Sequence, residues 1–396
     1  MLMQRIFRCF VLAGALALSF ATQCQEKAQA QEKLKVGIVL SLSGPPAALG
    51  KQALDGFQLG LKSLGGKFAG RDVETVVVDD ELKPDLAITK VQALIDRDKV
   101  DFVVGPIFSN VLQAIIKPVT DQKIFLISPN AGPSSFAGKA CNPYFFVTSY
   151  ENDRIHAASG TYAQEKGYKR VFLLAPNYQA GKDAIEGFKS TFKGEIVDEV
   201  YTPLTQLDFS AELAKIAAAK PDAIYTFMPG GLGVNLVKQY RQAGLSDIPF
   251  ISAFTVDEST LPAQQDAAIG FYGSSNWAPN LDTPQNKAFV ANFEKTYNYV
   301  PGSYAFEAYD AALLMDSALK VTGGKTDDKE ALRAALKKAD FQSLRGGFKF
   351  NNNGYPIQNF YITKVAKRPD GKYQTEIVQT IFKDDVDPHG KECPLK

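Results

Sequence analysis

Asp101 to Gly132 reads DFVVGPIFSN VLQAIIKPVT DQKIFLISPN AG. A short apolar run, Phe102 to Val104, meets Gly105-Pro106. Val111, Ile115 and Val119 then recur at helical spacing, and a second apolar run covers Ile124 to Ile127. This is a strand-helix-strand unit of the parallel kind, so both strands end on the same edge of a sheet. The residues just past those ends, Ile107-Phe108-Ser109 and Pro129-Asn130-Ala131-Gly132, then face each other across a crevice. Ser109 is expected to cap the helix. Two readings stay open: a plain cap beside a Gly-Pro turn, or an anion site in which unpaired helix amides, the serine hydroxyl and the small-residue loop hold a carboxylate.

The same alternation extends in both directions. Before the unit come a strand at Lys35 to Leu40, a helix at Ala48 to Leu64, a strand at Val73 to Val78 and a helix at Pro84 to Ile95 that opens on proline. After it, Tyr144 to Val147 reads as a strand. Helices at Asp153 to Glu165, Gly181 to Phe192, Ser210 to Ala219 and Gly233 to Ala243 then alternate with strands at Lys169 to Ala175, Ile196 to Tyr201, Ala223 to Met228, Pro249 to Ser252 and Gly270 to Ser274. A helix-rich section, Asn286 to Lys338, precedes strands at Phe348 to Phe350, Phe360 to Val365 and Glu376 to Phe382. The pattern predicts an α/β protein with two successive sheets and no long linker.

With 396 residues, 45% hydrophobic, 22% charged and a net charge of +1, the chain has no electrostatic footprint of a nucleic-acid partner. Arg5 and Arg8 precede an apolar run from Phe10 to Ala21, and Ala28-Gln29-Ala30 supplies a small-x-small cleavage signal, so residues 1–30 read as a secretory signal peptide. The run is too short to span a bilayer, and no later run approaches the ~20 apolar residues a span needs. Ala21-Thr22-Gln23 before Cys24 is a poor match to a lipidation box. Cleavage at Ala30 removes Cys9 and Cys24, leaving Cys141 and Cys393, which in an exported protein are expected to pair.

Catalytic and cofactor motifs are weak. Gly44 to Lys51 has five residues between its glycines where a phosphate loop needs four, and Gln52 where it needs Ser or Thr. Gly230-Gly231-Leu232-Gly233 lacks dinucleotide-loop spacing. The two histidines, His156 at a helix start and His389 in the tail, are poorly placed for a triad or a metal site. Asp79-Asp80-Glu81 and Asp384, Asp385 and Asp387 read as solvated turn and tail residues, and Asn351 to Gly354 as a hairpin turn tolerating positive φ. No cofactor, no metal and no enzymatic activity are expected. Five aromatic residues at strand ends, Phe108, Tyr150, Tyr178, Phe254 and Trp277, read as core packing one by one and as a ligand wall together.

These segments resemble the type I periplasmic substrate-binding proteins of ABC transporters, the group of leucine/isoleucine/valine-binding proteins. The resemblance rests on Lys35 to Pro45, Val104 to Ser109, Ile127 to Gly132, Asn177 to Gly181, Gln239 to Leu245 and Tyr304 to Leu319. It implies two Rossmann-like lobes joined by three hinge strands: residues 31–148 and 277–352 in lobe 1, 149–276 and 353–385 in lobe 2, and 386–396 as a tail. Crossings are expected near Thr148, Asn276 and Asn353. It further implies a periplasmic monomer that binds a small carboxylate and presents it to a membrane permease. Ser109 and the Asn130-Ala131-Gly132 loop match the positions that hold the ligand carboxylate, and Tyr178 the tyrosine reaching over from lobe 2. Phe254 falls where amino-acid-binding members carry the acidic partner of the α-ammonium. The Met228-Pro-Gly230-Gly231 and Trp277-Ala-Pro segments resemble the aromatic-acid-binding subgroup. An aromatic acid is therefore expected, with two alternatives open: a branched-chain amino acid held by Asp257 or Glu258, or a ligand-sensing module for a signalling receptor.

Overall fold

A computed structural model describes residues 32–395, so the expected signal peptide and the start at Gln31 lie outside the described residues. The first half of the chain forms β1 (Leu34–Leu40), α1 (Ala47–Ser63), β2 (Lys67–Phe68), β3 (Arg71–Asp79), α2 (Pro84–Asp96), β4 (Phe102–Val104), α3 (Ser109–Thr120), β5 (Phe125–Ser128) and β6 (Phe145–Val147). Its sheet runs β2-β3-β1-β4-β5-β6, parallel apart from the short β2. The four-residue and shorter strands β4, β5 and β6 are fully buried and, apart from Ser128, apolar because helices cover both faces.

The alternation resumes with α4 (Asn152–Glu165), β7 (Arg170–Pro176), α5 (Gln179–Thr191), β8 (Glu195–Thr202), α6 (Ser210–Ala219), β9 (Ala223–Phe227), α7 (Gly231–Gln242), β10 (Phe250–Ala253), a short α8 (Leu261–Gln264) and β11 (Tyr272–Ser275). Helices α9 (Pro284–Tyr297), α10 (Ser303–Val321) and α11 (Lys329–Lys338) follow, then β12 (Lys349–Phe350), β13 (Pro356–Lys367) and β14 (Tyr373–Asp385). The second sheet runs β12-β13-β11-β10-β9-β7-β8, with β14 added on β13, and its last strands are antiparallel. Helix α10 returns to the first sheet and packs along α1, so the chain passes between the sheets after β6, after β11 and in the segment around β12, which pairs with β13 across a short turn. At that turn Asn351 N donates to the Tyr355 carbonyl at 2.8 Å. The positive φ, 81°, falls on Gly354 rather than on an asparagine.

Strand order fixes where a ligand can sit. In the first sheet the order reverses between β1 and β4, and in the second between β7 and β9. Crevices open at such reversals beyond the strands' carboxyl ends. Gly105, just past β4, has φ 126°, and a Cβ there would lie 2.0 Å from the Val39 carbonyl oxygen, so this turn admits no side chain.

Several acidic residues expected in solvated turns are instead built into the fold. Asp80 is fully buried and accepts from Ser41 Oγ at 2.6 Å and Leu82 N at 2.8 Å. Asp385 takes both arms of Arg154 at 2.7 Å. Asp387 accepts from Asn351 Nδ2 at 2.9 Å and Gly390 N at 2.9 Å. A short carboxylate satisfies backbone and amide donors that a tight loop leaves exposed, which makes burial tolerable.

Cys141 and Cys393 form a disulfide across 252 positions, with Cα atoms 5.7 Å apart. It ties the 3₁₀ turn Pro388–Glu392 back to the loop between β5 and β6. Closing so long a loop limits the unfolded ensemble by about 5 kcal/mol in the chain-entropy model. Replacing both cysteines by serine should lower the urea midpoint with little change in the far-ultraviolet circular dichroism. An unchanged midpoint would assign the bridge no part in stability.

Candidate functional site

Phe108 is extended (φ −104°, ψ 138°) and its carbonyl receives the amides of Val111 and Leu112. Ser109 is therefore the first helical residue, and its hydroxyl does not cap the helix as the sequence suggested. The side chain is buried and its Oγ accepts from Asn152 Nδ2 at 3.3 Å. Asn152 also donates to Asp183 Oδ2 at 2.8 Å, and Asp183 Oδ1 accepts from Ser134 Oγ at 2.9 Å. This polar chain leaves the first lobe at Ser109, runs through the second and returns at Ser134. Opposite Ser109, the Ser128 hydroxyl donates to the Ala131 carbonyl at 2.7 Å and the Ser149 hydroxyl to the Asn130 carbonyl at 2.7 Å, which fixes the small-residue loop. A Cβ on Gly132 would lie 1.9 Å from the Tyr150 carbonyl oxygen, so glycine alone allows this loop to meet the first crossing.

Aromatic rings from both lobes meet beside this loop. Phe108 faces Tyr178 with centroids 6.1 Å apart, Tyr178 faces Phe227 at 6.3 Å, and Phe227 meets Phe254 edge-on at 6.5 Å. Phe254 stacks on Tyr150 at 5.1 Å and touches Tyr304 at 5.6 Å. Phe254 holds φ at 52°, a left-handed conformation that costs a bulky residue about 1–2 kcal/mol. The flanking rings hold it there. Gly230 lies where the lobes touch, since Gly231 N donates to the Pro45 carbonyl at 3.1 Å.

Trp277 is not brought to this group. Its indole stacks on Phe306 at 5.0 Å and donates through Nε1 to Asn286 Oδ1 at 2.8 Å, in a separate cluster under α9 and α10. Phe227, Tyr304 and Glu307 take part without having been singled out in the sequence. Glu307 lies one helical turn from Tyr304 and one turn before Asp310 in a mostly apolar helix, and charged residues inside such a helix were the available signal.

Glu307 is fully buried, its two oxygens accepting from Asn130 Nδ2 at 3.3 Å and Asn276 Nδ2 at 3.1 Å. Burial pushes its carboxyl well above the usual range, against these hydrogen bonds and the nearby Arg345. Burial also raises the Tyr150 and Tyr304 hydroxyls, with Glu307 adding to the first and Asp257 to the second. Asp257 Oδ1 accepts from Ser259 N at 2.8 Å, whereas Oδ2 is buried with no hydrogen-bond partner among the described residues. His156, behind Phe227, bonds the Tyr225 hydroxyl through Nδ1, and burial drops it to about 3, so it is a neutral packing residue.

The periplasmic binding protein family profile matches residues 33–372, and the chain belongs to this family of solute-binding rather than catalytic proteins. A Leu/Ile/Val-binding protein homologue of Brucella melitensis is 30% identical over 88% of this chain and 92% of its own. A Rhodopseudomonas palustris solute-binding protein of an ABC transporter, solved with benzoate, superposes with a TM-score of 0.88 at 33% identity, covering 92% of this chain and 100% of that one. A second R. palustris protein, solved with 3,4-dihydroxybenzoic acid, gives 0.84 at 33% identity, covering 90% and 99%.

Burial pushes Glu258 to about 7, against hydrogen bonds from Thr375, and Asp257 to about 6. A carboxyl held above its unfolded value keeps its proton in the folded chain after the unfolded chain has released it. Stability therefore falls as pH rises from the unfolded value of 4.5 to about 7. For Glu258 this loss is on the order of 3 kcal/mol. Glu258→Gln keeps an acceptor for Thr375 and removes the ionisation, so urea midpoints at pH 4.5 and 7.5 should differ less than in the native protein. An identical difference would show that Glu258 does not titrate in this window.

Proposed function

We propose that this protein is the extracytoplasmic solute-binding receptor of an ABC importer, and that its ligand is an aromatic carboxylate held between the lobes. The carrying observation is the unbroken set of rings, Phe108, Tyr178, Phe227, Phe254, Tyr150 and Tyr304, drawn from both lobes, the first three of them at the two sheet reversals. A flat ligand among them gains burial plus about 0.5–1.5 kcal/mol per ring pair. Ser109, the amides opening α3 and the Asn130-Ala131-Gly132 loop supply the anion end, with Gly230 closing the rim. Trp277 supports α9 and α10 rather than the ligand. The structural relatives solved with benzoate and 3,4-dihydroxybenzoic acid support this class. In this reading the receptor works in the periplasm. Ligand shifts a pre-existing balance toward the closed form, which a membrane permease recognises.

One observation favours a second reading. The unpartnered Asp257 Oδ2 can accept from an α-ammonium, as a branched-chain amino acid would require and as the Leu/Ile/Val-binding relative's name suggests.

A thermal-shift comparison separates the two. Ligand at 100 times its dissociation constant stabilises by ~2.7 kcal/mol, a clear rise in melting temperature. Benzoate or 4-hydroxybenzoate should produce it, while benzamide and leucine should not. Ser109→Ala should weaken the effective acid by roughly ten-fold to over a hundred-fold through loss of a charge-assisted hydrogen bond, with a stability loss of only about 1 kcal/mol from its bond to Asn152, since Ser109 caps nothing. A strong shift with leucine and none with aromatic acids would overturn the first reading in favour of the second.

A further inference from the structure

Away from the aromatic group, three side chains converge where the tail docks on the start of α4. Glu151 precedes the helix, and its Oε1 accepts from Asp153 N at 3.2 Å. Its other oxygen, Oε2, is buried without a hydrogen-bond partner among the described residues, in a residue only 2% exposed. Asp153 Oδ2 lies 2.8 Å from His389 Nε2. One donor atom from each of Glu151, Asp153 and His389 lies within 4.8 Å of the other two.

The surroundings favour positive charge. Asp183 and Asp387 add their fields at Glu151, and Glu392 adds its own at His389. Arg154, the neighbouring cation, feels Glu151 and Asp153 but gives its hydrogen bonds to both oxygens of Asp385. A protonated His389 would balance Asp153 alone and leave the buried Glu151 oxygen unsatisfied. The positive end of α4 opposes a cation here by less than about tenfold, a small effect beside two carboxylates and an imidazole.

We propose that Glu151, Asp153 and His389 form a binding site for a divalent transition cation of the Zn²⁺ class. An imidazole nitrogen with two carboxylate oxygens is a donor set that Zn²⁺ accepts readily, water completing the shell, whereas Ca²⁺ and Mg²⁺ prefer oxygen alone. Donors at about 2.0–2.2 Å from a common ion stand roughly 3–4 Å apart, so the observed cluster needs only small side-chain shifts. His389 is positioned by the 3₁₀ turn Pro388–Glu392, which Asp387 caps at Gly390 N and the Cys141–Cys393 disulfide anchors. The ion would fasten the tail to lobe 2 just after the first crossing.

The test uses the chelator-treated, disulfide-intact mature chain, with Zn²⁺ alone titrated by calorimetry and metal content read by elemental analysis. One equivalent should bind in the micromolar range or tighter, raise the melting temperature, and outcompete a hundredfold excess of Mg²⁺. His389→Ala, in a partly exposed tail residue, and Glu151→Gln should each weaken binding at least a hundredfold and abolish the thermal shift. Absence of binding at 100 µM Zn²⁺, or one-equivalent binding that survives in His389→Ala, would overturn the assignment. Should Glu151→Gln fail to fold, the His389→Ala result decides by itself.

Discussion

The buried guanidinium of Arg345 joins the three crossings. Its side chain is 6% exposed, yet Nη2 donates to the Thr148 carbonyl at 2.8 Å and to Asp310 at 3.1 Å, and Nη1 donates to the Ser149 carbonyl at 3.2 Å and to Gln358 Oε1 at 2.6 Å. Gln358 Nε2 and Asn276 Nδ2 also donate to the Ser149 carbonyl. One cation thus contacts the first crossing directly, the third through Gln358, and the second through Asn276, while pairing with α10. A charge removed from water is tolerated only when its donors are filled, and removing one partner of such a pair costs about 3–5 kcal/mol. The arrangement holds the three segments in register where backbone rotation must occur if the lobes are to part.

Contacts between the lobes are more varied: Ser134 Oγ donates to Asp183 Oδ1 at 2.9 Å, and Glu294 of α9 pairs with Arg368 and Lys372 at the turn between β13 and β14. Pro45 with Gly231, Ser109 with Asn152, and Gln113 with Gln179 at 3.3 Å are single hydrogen bonds, each worth about 1 kcal/mol net. The larger apolar contact between lobes is the aromatic group itself, with Phe108 and Tyr304 on one side and Tyr150, Tyr178, Phe227 and Phe254 on the other. An interface of individually modest contacts beside the crossings suits a binding protein, because a ligand of ordinary affinity can then decide between open and closed forms.

The fold was legible because apolar periodicity is a local property: β4, α3 and β5 fall within a residue or two of their expected bounds. The crossings near Thr148, Asn276 and Asn353 are what the resemblance implies, whereas the polar network around Arg345 carried no signal in the sequence. Its members, Thr148, Asn276, Glu307, Arg345 and Gln358, are scattered through more than half the chain and carry no shared motif. Ser109 was read as a cap from residue preference, whereas Gly105-Pro106 and the extended Phe108 set the helix start one residue earlier. Trp277 shares its strand-end position with the other aromatics, but its amide turns back onto Ser275 Oγ at 3.2 Å, which points the indole into the first lobe. His389 looked isolated because a disulfide spanning most of the described chain brings it to Asp153.

The electrostatics of the cleft bear on ligand class through protons as well as contacts. Asp257, at about 6, and Glu307, well above its ordinary value, sit near the rings that would enclose a ligand, and each acts on Tyr304. In water-poor surroundings these acids are neutral at mildly acidic pH and can donate. A bound carboxylate adds a negative charge that raises Asp257 further, so binding near pH 6 must take up protons. An α-ammonium at the free Asp257 oxygen does the reverse, lowering that carboxyl and releasing protons. Calorimetric titrations at pH 6 in two buffers of different ionisation enthalpy read the sign directly: uptake is expected for benzoate or 4-hydroxybenzoate. Release on binding an aromatic acid would place Asp257 outside the field of the ligand, since no geometry that brings an anion close to a half-ionised carboxyl lowers its proton affinity.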